Sequence, residues 1–223
     1  MTFAAIFDMD GVLVDNTPFH YRAWREVLGT RGIKLSRRKY DQLLNGKTPE
    51  DTARTIFGDR ISVAESHELN AQKDSLYRSL YRGAVVPAPG LVPFLESLDS
   101  AGVPMALATS ANPENIELVL TGTDTRRFFS VVVDATMVKR GKPDPEIFEK
   151  AAALLGEKPA NCVVFEDSKF GLIAAKASGA KVVALATTLR PDQIVDVDRI
   201  ILDFTELDLT DLYEIFKAAG SDH

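Results

Sequence analysis

Six short apolar runs punctuate the chain: Phe3–Phe7, Met105–Ala108, Val131–Val133, Cys162–Phe165, Val182–Ala186 and Ile200–Leu202. Each is continuous rather than alternating, most are rich in β-branched residues, and each is followed by a polar turn. That pattern predicts strands buried on both faces, since a strand with one wet face would alternate. Amphipathic segments of helical length separate the runs. Asn112-Pro113 and Asp144-Pro145 each place a capping side chain before a proline at the first helical position, and Gly156 and Gly179 stand where C-terminal caps belong. Strand–helix alternation over residues 84–205 predicts a parallel, doubly wound α/β sheet.

The rhythm breaks between Thr17 and Arg82, where helical periodicity replaces buried strands. Tyr21, Trp24, Val27 and Leu28 form one apolar stripe. A second helix is expected to open at Thr48-Pro49-Glu50-Asp51, a capping-box-like start, and a third to run from Val63 towards Tyr81. The chain therefore makes one strand, leaves for a helical insert over 17–83, and returns through Ala84–Gly90, with Pro87 and Pro89, to finish a core of 1–16 and 84–223. There is no internal repeat and no low-complexity tract.

Composition narrows the class. With 223 residues, 45% hydrophobic and 26% charged, the chain is an ordinary globular protein large enough to bury a core without staples. Cys162 is the sole cysteine, which excludes an intrachain disulfide and a Cys-based zinc cluster. A net charge of -6 argues against non-specific nucleic-acid binding, and Arg37, Arg38 and Lys39 are too short a basic run to reverse that. No apolar run approaches the roughly 20 residues of a membrane span. The N-terminus lacks a basic segment and turns acidic at Asp8, so no signal peptide is expected. A cytoplasmic monomer is expected, with no nucleic-acid or membrane partner.

In an open parallel sheet, ligands bind beyond the C-terminal ends of the strands. Reading the residues just after the apolar runs gives Asp8-Met9-Asp10-Gly11, then Thr109-Ser110, then a loop with Lys142-Pro143-Asp144, then Glu166-Asp167-Ser168. Four carboxylates, a hydroxyl pair and a lysine would converge there. Clustered anions repel unless a cation joins them, and carboxylates without His or Cys suit a hard ion, Mg2+ above all. The lysine and the metal leave room for an anionic substrate, and phosphate fits best. Asp8 is then the candidate nucleophile and Asp10 the general acid/base. Gly46-Lys47-Thr48 has a P-loop ending, but Asp41 replaces the first glycine and no strand precedes it, which rejects a P-loop.

Phe7-Asp8-Met9-Asp10-Gly11-Val12-Leu13-Val14-Asp15, Thr109, Lys142-Pro143-Asp144-Pro145 and Glu166-Asp167-Ser168 resemble the four ordered motifs of the haloacid dehalogenase-like superfamily. The resemblance implies a Rossmann-like core with the insert as a small helical cap. It implies Asp8 as nucleophile, Asp10 as acid/base, Thr109, with Ser110 beside it, and Lys142 on the phosphoryl group. Mg2+ would be held by Asp8, the Asp10 backbone carbonyl, Glu166 and Asp167. An aspartate at position 10 points to the phosphatases and phosphomutases of the superfamily. His20-Tyr21-Arg22-Ala23-Trp24 is similar to the cap entry of the β-phosphoglucomutase-like branch, Lys73 falls near the cap lysine of the mutases, and Asn45–Asp51 resembles their specificity loop. The mutase arginine that grips a second phosphate is replaced by Pro49, with Lys47 as a point-charge substitute. His20, Lys47 and Lys73 are thus candidate substrate or cap residues. The expected activity is Mg2+-dependent hydrolysis of a small phosphorylated metabolite, such as a sugar phosphate, through an aspartyl phosphate. A phosphomutase, a pyrophosphatase and a non-enzymatic phospho-accepting signalling module remain alternatives. Trp24 is expected in the cap core, and Asp15 at a hinge or helix cap.

Overall fold

Short apolar runs become strands wherever the fold can cover both of their faces, and this chain arranges that cover with helices on either side of one sheet. A computed structural model describes residues 3–44, 47 and 49–218, with residues 49, 50 and 218 described by backbone alone. The strands are β1 (Ala4–Phe7), β2 (Met105–Ala108), β3 (Val131–Val133), β4 (Cys162–Glu166), β5 (Lys181–Leu185) and β6 (Arg199–Ile201). They form one parallel sheet in the order β3-β2-β1-β4-β5-β6. All six expected runs are strands, displaced by no more than a residue at their ends. One displacement matters for chemistry: β4 continues through Glu166, which pairs with Ala184 in the ladder.

Successive side chains of a strand point to opposite faces, and the two cores follow that period. Ala5, Phe7, Val163, Phe165, Val183 and Leu185 face α5 (Leu91–Ser100), α6 (Pro113–Thr123) and α9 (Leu209–Ala218). Ala4, Ile6, Cys162, Val164, Val182 and Ala184 face α7 (Glu146–Leu154) and α8 (Lys169–Ala177). At the centre of the first core, Phe7 stacks on Phe165 with ring centroids 4.5 Å apart, and Phe94 and Phe204 close on Phe165 at 5.6 and 5.7 Å. Double-sided burial fails at the edges. Ile200 and Leu202 are exposed because β6 has a neighbour on one side only, and Val131 and Val132 of β3 are half-buried.

Several helix ends follow the capping residues read from the sequence. Asn112 accepts the Asn115 amide with Pro113 at the first helical position, and Gly156 and Gly179 take positive φ just beyond α7 and α8. Asp144 is shifted by one: Pro145 occupies the N-cap position, and Asp144 Oδ1 accepts the Glu146 amide at 3.1 Å.

The insert contains α1 (Thr17–Gly29), α2 (Arg37–Leu43), α3 (Pro49–Phe57) and α4 (Val63–Tyr81). Helix α2 is one more than expected. It is short, buries only Tyr40, and is started by Ser36 accepting the Lys39 amide, so it offers no apolar stripe to read. Thr48, the expected cap of α3, lies outside the described residues, as do Asn45 and Gly46. Trp24, Val27, Leu28, Tyr40, Leu44, Ala53 and Leu69 form the insert's own core. Tyr77 and Tyr81 of α4 instead join the first core of the sheet, so α4 straddles both. Among the described residues, no helix is long and apolar enough to cross a membrane.

Phe165 fixes the middle of this packing. Phe165→Ala should lower the unfolding free energy by about 3–5 kcal/mol, measured by denaturant titration.

Candidate active site

The sheet order places β1 between β2 and β4, and the winding direction reverses between β1 and β4, where a doubly wound sheet opens its crevice. The residues that leave these two strands therefore meet. The Asp8 amide donates to the Phe165 carbonyl at 3.0 Å, extending the ladder by one step and setting Asp8 beside Glu166. Asp8, Glu166 and Asp167 are all buried, and each offers a carboxylate oxygen within 4.8 Å of the others. Lys142, buried in the loop after β3, donates to Asp8 Oδ1 at 2.7 Å and to Glu166 Oε1 at 2.6 Å.

This packing moves the titration of each group. Burial raises the Asp8 pKa; Lys142 opposes it, while Glu166 and Asp10 add to it, and the result is about 7. Burial, with Glu166 and Asp8, also holds Asp167 well above the usual carboxylate range. For Lys142, burial favours the neutral amine, but Asp8 and Glu166 outweigh it and the pKa rises. The lysine is a fixed cation.

The carboxylates are held from behind. Glu166 Oε2 accepts the amides of Asp167 and Ser168, each at 2.7 Å. A Cβ on Gly171, in the first turn of α8, would lie 1.7 Å from Glu166 Oε1, so the helix comes this close only with glycine there. Asp167 accepts a hydrogen bond from Thr188, while Thr187 donates to the Gly11 carbonyl at 2.6 Å. Gly11 has φ of +82°, and a Cβ there would stand 2.0 Å from Asp167 Oδ2.

Asp10 turns away from this group. Its Oδ1 accepts from Asn16 Nδ2 at 2.6 Å, and its Oδ2 is paired with His20 Nε2 at 3.2 Å, off the line of a hydrogen bond. The second Asn16 Nδ2 proton goes to Tyr77 Oη at 2.7 Å, and the His20 ring stacks on Tyr77 with centroids 3.8 Å apart. Burial would raise the Asp10 pKa, but His20, Asn16 and Lys73 overcome it and the net shift is downward. Two aspartates separated by Met9 therefore sit in opposed environments.

The remaining candidates border the same cleft between sheet and insert. Thr109 is buried, with its amide on the Val133 carbonyl and its hydroxyl accepting from the Ala111 amide, and Ser110 is half-buried beside it. Lys47, Lys73 and Trp24 line the opposite wall. Lys73 is 7% exposed, so it is no solvated surface charge. Trp24 lies in the insert's core as expected.

The sequence reading passed over three features here. Asn16, not Asp15, occupies the N-cap position of α1, and its side chain serves Asp10 instead of the helix. Tyr77 lies inside the helix expected from Val63 towards Tyr81, and no motif marks it. Thr187 and Thr188 directly follow the fifth apolar run, the same strand-end position that marks the candidates after the first four.

The fold and this acidic cleft define a phosphoryl-transfer enzyme built on a doubly wound sheet. The haloacid dehalogenase-like hydrolase family model matches residues 4–179, and the chain belongs to that family. It is 37% identical over 174 residues to fructose-1-phosphate phosphatase YqaB of Escherichia coli K12, covering 78% of this chain and 91% of that one. It is 30% identical over 219 residues to β-phosphoglucomutase of Bacillus subtilis 168, covering 95% and 94%. Among solved structures, a family IA, variant 3 hydrolase of this superfamily from Entamoeba histolytica superposes with a TM-score of 0.88 at 27% identity, covering 97% of this chain and 100% of that one. The protein is thus an enzyme of the haloacid dehalogenase-like phosphatase class.

Gly11→Ala should both strain a positive-φ turn and push Asp167 from its place. The expected result is a loss of roughly 1–2 kcal/mol in urea unfolding together with a fall in phosphate release.

Proposed function

We propose that this chain hydrolyses the phosphate monoester of a small sugar or polyol, with Asp8 as nucleophile and Asp10 as general acid/base. The observation that carries the reading is the contrast between the two aspartates. Asp8 lies against Lys142 in the carboxylate cluster, while Asp10 lies apart, held by Asn16 and His20. The fructose-1-phosphate phosphatase among the relatives supports the substrate class.

A hard divalent cation fits this cluster. Three buried carboxylates share one ammonium, every donor is oxygen, and the two nearest glycines leave no space for a Cβ. Asp8 and Asp167, with the Asp10 carbonyl, would hold Mg2+. Glu166, whose oxygens already take Lys142 and two amides, would add charge and fix the geometry. When bound, Mg2+ would supply charge compensation for the phosphoryl oxygens.

The chain's own residues account for the remaining steps. Lys142 and the Thr109 hydroxyl orient the phosphoryl oxygens, with Ser110 alongside. An Asp8 carboxylate oxygen forms a bond to phosphorus as the bond to the ester oxygen breaks, and Asp10 gives that oxygen its proton. The entering phosphate dianion helps here, because negative charge beside Asp10 raises its affinity for a proton. Asp10 then takes a proton from water, the water oxygen bonds to phosphorus, and the Asp8–phosphorus bond breaks to release phosphate. His20, acting through Asp10, is a positioning residue. The insert over 17–83 serves as a cap that excludes bulk water over the core of 1–16 and 84–223. Where a hydroxyl of a sugar phosphate takes the place of water, it receives the phosphoryl group to give a bisphosphate, and return of the other phosphoryl group to Asp8 would complete a phosphomutase cycle, the activity for which the Bacillus subtilis relative is named.

Asp8→Asn should abolish turnover of every ester. Asp10→Asn should release about one equivalent of p-nitrophenol from p-nitrophenyl phosphate in a burst and then stall, because that leaving group needs no proton and the attacking water does. Rapid-quench kinetics would check both, and full steady-state turnover by either variant would overturn its assignment. Chelation of divalent ions should stop phosphate release, and Mg2+ should restore it. Asp167→Asn should raise the Mg2+ concentration for half-activity by at least about tenfold, read from a metal titration.

A further inference from the structure

The far wall of the cleft decides what the non-phosphorylated end of a substrate meets, and its cations are already engaged. Lys142 lies between Asp8 and Glu166, and His20 faces Asp10. Lys47 Nζ donates to Thr55 Oγ1 at 2.9 Å and lies 5.3 Å from the centre of the Phe170 ring. Lys73 Nζ lies 2.5 Å from Asp74 Oδ1 and 5.5 Å from the Trp24 ring centre. Lys142, Lys47 and Lys73 are the lysine and arginine side chains among the described residues that line the cleft, and positions 45, 46 and 48–50 contain no Lys or Arg.

Asp74 is the unusual member. It is 4% exposed, yet it reaches the cleft, and its neighbours come from the core. Oδ2 accepts from Asn112 Nδ2 at 2.7 Å and Oδ1 from Asn115 Nδ2 at 3.0 Å, while Arg78 Nη1 holds Asn115 Oδ1 at 3.0 Å. Asn112 is the N-cap of α6 and ends the loop that begins at Thr109. A buried carboxylate thus stands at the cleft wall, neutralises the nearest lysine, and accepts from two side-chain amides, with Thr52 elsewhere on the same lining. Such a wall suits hydroxyl groups. A second phosphate would have to displace Asp74 from Lys73 or lie against a carboxylate whose partner cation is already taken.

We infer that Asp74 is a specificity-determining residue, which restricts the cleft to substrates with one phosphate and an uncharged, hydroxyl-bearing far end, and excludes sugar bisphosphates. The inference rests on the phosphatase reading above.

The test compares kcat/KM for fructose 1-phosphate and fructose 1,6-bisphosphate by phosphate release, with p-nitrophenyl phosphate as a measure of the chemistry alone. The wild-type chain should favour the monophosphate by at least about tenfold, the value of a charge-assisted hydrogen bond. Asp74→Asn keeps the shape, frees Lys73, and should narrow that preference by about tenfold through a lower KM for the bisphosphate. Asn112→Ala breaks the tie to α6 but leaves the Lys73–Asp74 pair, and it should keep the wild-type ratio. Equal losses on both sugars in Asp74→Asn, or the same change of ratio in Asn112→Ala, would show a structural tie and overturn the inference. Should Asp74→Asn fail to fold, the wild-type ratio decides, since a bisphosphate turned over as well as the monophosphate sinks the idea. Absence of phosphate release from all three compounds would instead overturn the phosphatase reading itself.

Discussion

One buried ammonium makes the rest of the site possible. Three carboxylates whose oxygens lie within 4.8 Å of one another repel by roughly 3 kcal/mol or more per pair at an effective dielectric of about 20. Lys142 meets two of them directly and relieves part of that repulsion. The surplus negative charge is what makes the cluster suited to a divalent cation and costly to leave without one. The rest of the arrangement follows from bringing these charges together. Strands β1 and β4 must be neighbours, Gly11 and Gly171 must be small, and Thr187 and Thr188 must close the cluster from β5.

The same loop then solves a second problem, which is to give two aspartates different tasks. Separation along the chain is too small to do it, since only Met9 intervenes. Surroundings do it instead: burial, with Glu166 and Asp10, raises Asp8 to about 7 against the pull of Lys142, and His20 and Asn16 bring Asp10 down against its burial. Two carboxyl groups of one short loop thereby differ in proton affinity.

Much of this was legible in the sequence because strand ends in a parallel sheet are topologically forced to one side. Continuous apolar runs located all six strands, and the polar residues following four of them named the carboxylate cluster, Thr109 and Lys142. What escaped reading lacks a periodic signal. Helix α2 has one buried residue, the Ser62–Glu65 capping box of α4 is a local pattern among many, and Asn16 and Tyr77 act through partners remote in sequence. Lys73 shows the limit most clearly. The resemblance marks it as a candidate cap residue, but its place between Trp24 and Asp74 comes only from the tertiary fold.

The position of the insert has a physical consequence of its own. It leaves the sheet directly after the aspartate loop, so Asp10 is set by Asn16, the last residue before the insert, by His20 from the insert's first helix, and by Tyr77 of its last helix acting on Asn16. The groups that set Asp8 come from the loop after β3 and the end of β4. The two aspartates therefore answer to different parts of the molecule. The insert thus bears on the surroundings of Asp10, through His20 and through Tyr77 acting on Asn16, while Lys142 ties Asp8 to Glu166 at the ends of the strands.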